Sequence, residues 1–263
     1  AERLPGVKAV VAGKDLAVRY GLVVRDQPPY SIDRVRYIGD PVAGVAAVDL
    51  DTAEEALELI KVEYEDLPPV LDPLKALELG SPLVHEELGS YWHAPIFSPV
   101  PGSNICSHFK LRKGDAEKGF RQSDFITENT FTTPMIQHCH LEPHVSIAKF
   151  EPSGQTTIWS STQHPYAVRR ETARFLNLPT NHVRVIATCV GGGFGGKAML
   201  KVEPLCVVLA MKVKNFRPVK ISLTRDEEFY ATSVVRHPTI TTIKAGVRKD
   251  GTLLALKTRM VLD

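Results

Sequence analysis

The sequence predicts an α+β protein built from two mixed domains, and three observations carry that expectation. Residues 35–65 read as strand, helix and strand in close succession. Residues 124–263 interleave several strand-like runs with two helical ones. Between these regions, Gly80 to Gly102 is dense in proline and glycine and keeps little periodicity, as a linker would. A first domain is therefore expected over residues 1–82, a linker over 83–106 and a second domain over 107–263.

Leu4 to Val24 contains short valine-rich runs punctuated by Gly6, Gly13 and Gly21. Val35 to Val48 reads as a strand entered through the turn Gly39-Asp40-Pro41, where Asp40 is a turn residue rather than an acid catalyst. Asp49 to Ile60 carries a helix signature, with Thr52 as N-cap and Glu55 completing a capping box. Ala53, Ala56, Leu57 and Ile60 then share one face. Lys61 to Glu65 reads as a further strand.

In the second domain, Asp124–Thr133, Val145–Glu151 and Thr156–Ser161 read as strands. Pro165 suits the first position of a helix running to Leu176. Val183 opens an apolar run that ends in a glycine turn, followed by a helix over Lys201–Val213. Pro218–Leu223 is the next strand, and Thr239–Asp263 a hairpin turned at Lys249-Asp250-Gly251.

The 263 residues are 43% apolar and 24% charged, an ordinary globular balance. With 32 Lys and Arg against 30 Asp and Glu, the net charge of +2 provides no basic field for nucleic acid or anionic lipid. No apolar run is long enough to span a bilayer. The cysteines, Cys106, Cys139, Cys189 and Cys206, are scattered without Cys-x-x-Cys spacing. They read as buried thiols of a reducing, cytoplasmic compartment and supply no iron–sulfur or structural zinc ligand set. Ala1 runs straight into structured-looking sequence and Asp263 closes on a strand pattern, so the chain reads as a fragment.

Three stretches could carry chemistry. The first is Gly191-Gly-Gly-Phe-Gly-Gly-Lys197 after the apolar run. Glycines let backbone N–H groups approach a ligand closely, and a turn feeding a helix N-terminus favours an electron-rich one. The stretch fits the phosphate loop G-x-x-x-x-G-K, but Ala198 stands where the Mg²⁺-binding hydroxyl belongs. Gly191, Gly193 and Gly196 also fit a dinucleotide fingerprint, yet no acidic residue stands near Phe216 to Lys220 to complete it. Neither motif accounts for Phe194. A nucleotide-binding enzyme and a non-catalytic scaffold remain the alternatives at this point.

The second stretch is Gln137-His-Cys-His-Leu-Glu-Pro-His144. Extended, it would put His138, His140 and Glu142 on one face, a spacing that zinc or iron could use. With no ligand set outside the run, histidines hydrogen-bonded inside a crowded core are the expected reading. The third is Leu223-Thr-Arg-Asp-Glu-Glu228, where Arg225 offers a positive fork to a substrate or simply belongs to a solvated charge run.

Together these motifs resemble the molybdenum-binding large subunit of the xanthine dehydrogenase and aldehyde oxidase family. Tyr37-Ile-Gly-Asp-Pro-Val-Ala-Gly-Val-Ala46 resembles its α/β-hammerhead domain. Gln137 to Pro143, Ser161-Thr-Gln163, Gly191 to Lys197, and Arg217 to Lys220 through Thr224 to Glu227 resemble successive marks of part of its first molybdopterin-binding domain. The run from Gln137 to Pro143 is most similar to bacterial xanthine dehydrogenase subunits.

The resemblance implies a molybdenum–molybdopterin cofactor with Gly192, Gly193, Phe194 and Gly195 at its wall. It also implies Gln137 near the metal's oxo ligand, although this glutamine stands one residue closer to Leu-Glu-Pro than is common. Arg225 is matched to a substrate-binding arginine, whereas the purine-binding glutamate of the eukaryotic enzymes is Ala198 here, which counts against xanthine itself and leaves the substrate open among other N-heterocycles, aldehydes and aromatic acids. The family's general-base glutamate has no counterpart in these residues. Electrons would leave through iron–sulfur and FAD subunits or domains, and the complete protein would be an oligomer.

Overall fold

The computed structural model describes residues 1–230 and 235–263. The chain forms two compact units that interleave along the sequence instead of following one another. One unit comprises Ala1–Leu67, Ser90–Ile96 and the described residues of Gln137–Val234. The other comprises Pro68–Gly89, Phe97–Ile136 and Val235–Asp263.

In the first unit, β1 (Val7–Ala12) pairs antiparallel with β2 (Ala43–Ala47), and α1 (Leu50–Glu58) packs behind them. Three expectations are corrected here. The strand expected from Val35 is only five residues long, because Arg36 N–H bonds the Asp40 carboxylate at 3.1 Å and Gly39 takes φ +94°, making residues 36–40 a turn. The cap of α1 is Asp49, which accepts the N–H of Thr52 at 2.9 Å; Thr52 lies inside the helix. Lys61–Glu65 forms no strand, since among the described residues no strand offers it a ladder.

The four-stranded sheet of this unit comprises β4 (Val145–Phe150), β5 (Thr156–Ser160), β6 (Val183–Ala187) and β7 (Val219–Ser222), in the order β6-β5-β4-β7. β5 and β6 run parallel through the crossover helix α4 (Pro165–Phe175), and β4 runs antiparallel to β5 and β7. Helix α5 (Val202–Lys212) has almost no polar face. It packs on β4, β5 and β7 and also against β1 and β2, so it is buried all round at the centre of the core with Ile158, Ala148 and Val11. Pro204 sits in its first turn, where the missing N–H would have had no helical partner.

Buried Glu171 on α4 collects Arg174 at 3.0 Å and Arg25 at 3.4 Å, with Arg25 stacked over Trp92 at 3.7 Å. These contacts fasten the irregular segments around residues 25 and 92 to the sheet layer.

The second unit is an antiparallel sheet of β3 (Phe125–Thr133), β8 (Thr239–Val247) and β9 (Leu253–Leu262), in the order β3-β8-β9, together with the short helices α2 (Pro73–Ala76) and α3 (Ala116–Arg121). The β8–β9 hairpin turns where expected, with Gly251 at φ +87°. No helix among the described residues is long and apolar enough to cross a membrane.

Candidate functional site

The sheet register gathers the chemistry-bearing segments at one end of the first unit. β5 and β6 end together, Ser160 opposite Ala187, and are followed by residues 161–164 and the glycine stretch. β4 runs the other way, so its first residue, Val145, lies at that end, opposite Ser222 at the end of β7. Residues 137–144 and α6 (Arg225–Tyr230) therefore meet the same edge. The carboxyl ends of parallel strands are where open α/β sheets place their ligands.

The glycine stretch does not feed a helix directly. Helix α5 starts at Val202, and its N-terminus is already occupied by the chain's own Glu203, which accepts the N–H of Lys201 at 2.9 Å and the hydroxyl of Ser160 at 2.6 Å. Lys197 is also committed: its side chain is 0% exposed and its Nζ lies 2.6 Å from Glu142 Oε2. A phosphate loop needs that lysine free and a helix immediately behind it, so the nucleotide-binding reading fails on both counts.

Instead, the stretch is an irregular loop stapled to two neighbours. Glu142 Oε2 accepts the N–H of Gly191 at 2.8 Å, and Glu142 N–H bonds the Gly191 carbonyl at 3.1 Å. Burial works to raise the Glu142 pKa, but the Lys197 ammonium and the Gly191 N–H outweigh it and hold the carboxyl below its ordinary range. Gln163 Oε1 accepts the N–H groups of Gly195 at 3.0 Å and Lys197 at 3.2 Å. Gly192 and Gly195 have φ of +90° and +94°, and a Cβ on Gly193 would stand 2.5 Å from Gln163 Oε1. Phe194 is itself left-handed, at φ +52°, and 75% exposed.

Three consecutive donors remain: the N–H groups of Gly192, Gly193 and Phe194 have no acceptor among the described residues, although Gly193 is buried. The Gly195 N–H, by contrast, is spent on Gln163.

Residues 137–144 are not an extended strand. Cys139 takes φ +52° and breaks the alternation that would have aligned His138, His140 and Glu142. What converges is buried His140, His144 and Glu228, whose donor atoms lie within 4.8 Å of one another. His140 Nδ1 bonds the Glu142 carbonyl at 2.7 Å while its Nε2 lies 3.2 Å from Glu228 Oε1. His144 donates its backbone N–H and bonds through Nδ1, each at 2.8 Å, to the Glu228 carboxylate. This is a hydrogen-bonded polar core, with the partner supplied by α6.

That cluster makes stability depend on pH. Burial is the largest influence on His140 and pushes its pKa below the ordinary 6.5, against the pull of Glu228 and of the Glu142 carbonyl. Burial acts to raise Glu228, but the His144 ring and backbone donors outweigh it and hold the carboxyl below 4.5. In the unfolded chain both groups hold protons more tightly. Their contribution is therefore complete above about pH 6.5 and is lost as pH falls through the folded values. Denaturant midpoints should fall between about pH 7 and about pH 5, and His140→Phe should flatten that slope. Midpoints that rise on acidification would contradict the account.

Of the residues expected at the site, the structure brings the glycine loop, Gln137 and Arg225 to the same sheet end but employs the last two within the chain. Gln137 Nε2 donates to the Glu228 carbonyl at 2.7 Å, and its Oε1 accepts the N–H of His138 at 2.5 Å. Arg225 donates to the carbonyls of His140 at 2.9 Å and Leu141 at 2.5 Å.

Known proteins resemble this chain in sequence and in fold. The molybdopterin cofactor-binding domain matches residues 97–263, and the a/b hammerhead domain of aldehyde oxidase and xanthine dehydrogenase matches residues 1–68. The chain is 39% identical over its full length to a probable xanthine dehydrogenase subunit of Bacillus subtilis (strain 168), of which it covers 33%. It is 35% identical, again over 100% of its length, to the nicotinate dehydrogenase large molybdopterin subunit of Eubacterium barkeri, covering 58% of that protein. Among solved structures, quinoline 2-oxidoreductase from Pseudomonas putida 86 superposes with a TM-score of 0.84 at 29% identity, over 98% of this chain and 32% of that one. The chain thus spans about a third to just over half of the relatives it matches. It belongs to the aldehyde oxidase and xanthine dehydrogenase family of molybdopterin-dependent oxidoreductases.

Proposed function

We propose that the loop Gly192–Gly195 forms one wall of the molybdenum–molybdopterin site of a hydroxylase that oxidises a C–H bond of an N-heterocycle or aldehyde with oxygen from water. The observation that carries the reading is the row of three free N–H groups on Gly192, Gly193 and Phe194, held by a stapled loop at the carboxyl end of the sheet. Successive backbone donors of this kind suit an anionic oxygen, and donors fixed before the reaction stabilise charge without reorganising. The group therefore fits the residues present. When bound, it supplies two-electron redox chemistry at the metal. The chain's own part is to hold an oxygen of the group with these donors, to keep Gly193 bare so that its backbone packs against Gln163 without displacing it, and to exclude water with the exposed ring of Phe194.

A role for Gln137 and Arg225 at the cofactor or substrate requires each to exchange its present backbone partners when the ligand binds. Arg225→Ala separates the two uses. We expect a loss of about 2 kcal/mol of stability, as for hydrogen bonds made by a charged donor, with KM little changed. A raised KM at unchanged stability would instead put Arg225 at the substrate.

Against the expectation of buried thiols, Cys106, Cys139 and Cys189 are exposed; Cys206 alone among the four is buried, and burial pushes its thiol pKa up to about 12. Their scattered spacing is not that of a cluster ligand set, and we propose that electrons leave through iron–sulfur and FAD subunits or domains of an oligomeric, cytoplasmic enzyme. Since the relatives are longer, the 263 residues are proposed not to turn over alone. The test is turnover of N-heterocycles and aldehydes by the complete protein in isotopically labelled water. Label should enter the product, and turnover by the 263 residues alone would overturn the last point.

A further inference from the structure

We propose that one face of the β3-β8-β9 sheet is a docking surface for residues of the same chain that lie outside these 263, and that it receives an apolar, uncharged layer from them. The inference does not depend on the molybdenum reading above. Directly paired residues of antiparallel strands share a face, and successive residues alternate between faces. Phe131, Thr241 and Met260 form one cross-strand row, and Thr127, Ala245 and Leu256 another on the same side. Glu128, Lys244 and Lys257 form a row on the opposite side, as do Thr130, Thr242 and Arg259.

The two faces differ in kind. The charged residues of the three strands are Glu128, Lys244, Lys257 and Arg259, and all of them lie on the second face. The unit furnishes that face itself. Lys244 reaches Glu128 at 3.5 Å and lies over the Phe120 ring at 5.4 Å, and Lys257 reaches Glu117 at 3.9 Å. Helix α3 packs there so closely that a Cβ on Gly119 would stand 2.9 Å from that of Ala255. The first face carries no charge, yet Phe131, Leu256, Met260 and Leu262 on it are each more than half exposed.

An antiparallel sheet with one wet side turns its polar face to water and packs the apolar one. Here the apolar face is the open one, and contiguous apolar patches of that kind mark a contact. Two observations choose the occupant. Interfaces between separate partners carry a polar rim and are about as polar as the rest of a protein surface, whereas a charge-free face across three strands has the composition of a domain interior. The chain also spans only 33% of the Bacillus subtilis relative and 58% of the Eubacterium barkeri one. Proteins of this kind therefore have chain to spare for the second layer that a sheet needs over its apolar face.

The test uses the complete protein in its native assembly, with a photo-crosslinking residue at position 260 and, as control, at position 259 on the opposite face. Position 256 serves as a second site on the proposed surface. Links from 260 and 256 should leave the band at one chain's mass on denaturing electrophoresis, and peptide mapping should place their partners in the same chain outside residues 1–263. Links from 259 should not reach those peptides. In the same protein Met260→Asp should lower the thermal midpoint by about 5 °C or more, because it puts a charge into the contact, whereas Arg259→Asp should shift it little.

Links to a second copy, to another subunit or to residues within 1–263 would overturn the inference. So would the absence of any link from 260 and 256, or a Met260→Asp protein as stable as wild type. None of these results bears on the molybdenum content, which tests the cofactor reading separately.

Discussion

Replacing Glu142 with alanine in the complete protein is expected to cost on the order of 3 kcal/mol of stability and to release the glycine loop. The cause is the Lys197 ammonium, which is 0% exposed and 2.6 Å from Glu142 Oε2. Remove the carboxylate, and a buried positive charge is left without a counter-charge, together with an unpaired Gly191 N–H. The pair as a whole contributes much less than this, because burial already offsets most of its attraction. Hence Glu142→Leu combined with Lys197→Met should recover much of the stability. Denaturant midpoints of the two single variants and the double one check the claim; a Glu142→Ala protein as stable as wild type would contradict it.

Gly193→Val is expected to abolish cofactor retention while leaving the fold in place. A Cβ at this position comes within 2.5 Å of Gln163 Oε1 and 2.7 Å of its Cδ, and valine adds two more carbons to a buried site. The fold survives because the loop lies beyond the end of β6 and outside the core built on α5. Molybdenum per chain should fall at least about tenfold, with circular dichroism unchanged. Full metal content in this variant would remove the loop from the cofactor wall. Gly191 makes a control of a different kind: its Cβ would press on Glu142 Cβ at 2.6 Å, disturbing the other staple.

How far the sequence reached differs between fold and site. Local signals placed β4, β5, α4, α5 and the β8–β9 hairpin within a residue or two, because alternation, Pro165 and the Lys249-Asp250-Gly251 turn act over short distances. β2 was over-extended because valines at 35 and 42 continue the strand pattern, while the Asp40–Arg36 bond that bends the chain is invisible to a count of apolar residues. At α1, the capping-box spacing pointed to Thr52, and Asp49 took the cap because its carboxylate reaches the Thr52 N–H.

At the site, the glycines and Phe194 stood out by composition, but the residues that hold them did not. Glu142 is 55 positions from Lys197, and the Gln163 contact with Lys197 spans 34. Glu228 joins His144 across 84 positions, so nothing near the histidines announces their partner. These links follow from the common end of four strands, which only the register reveals. The two family marks Ser161-Thr-Gln163 and Gln137 to Pro143 contain Gln163 and Glu142. In the structure these two side chains accept the N–H groups of Gly195 and Gly191 respectively, on either side of the three donors that stay free.

The most direct measurement is the molybdenum and pterin content of the complete wild-type protein, purified after maturation with its neighbouring subunits. The account predicts about one molybdenum and one molybdopterin per chain. A folded, matured protein that contains neither would contradict it.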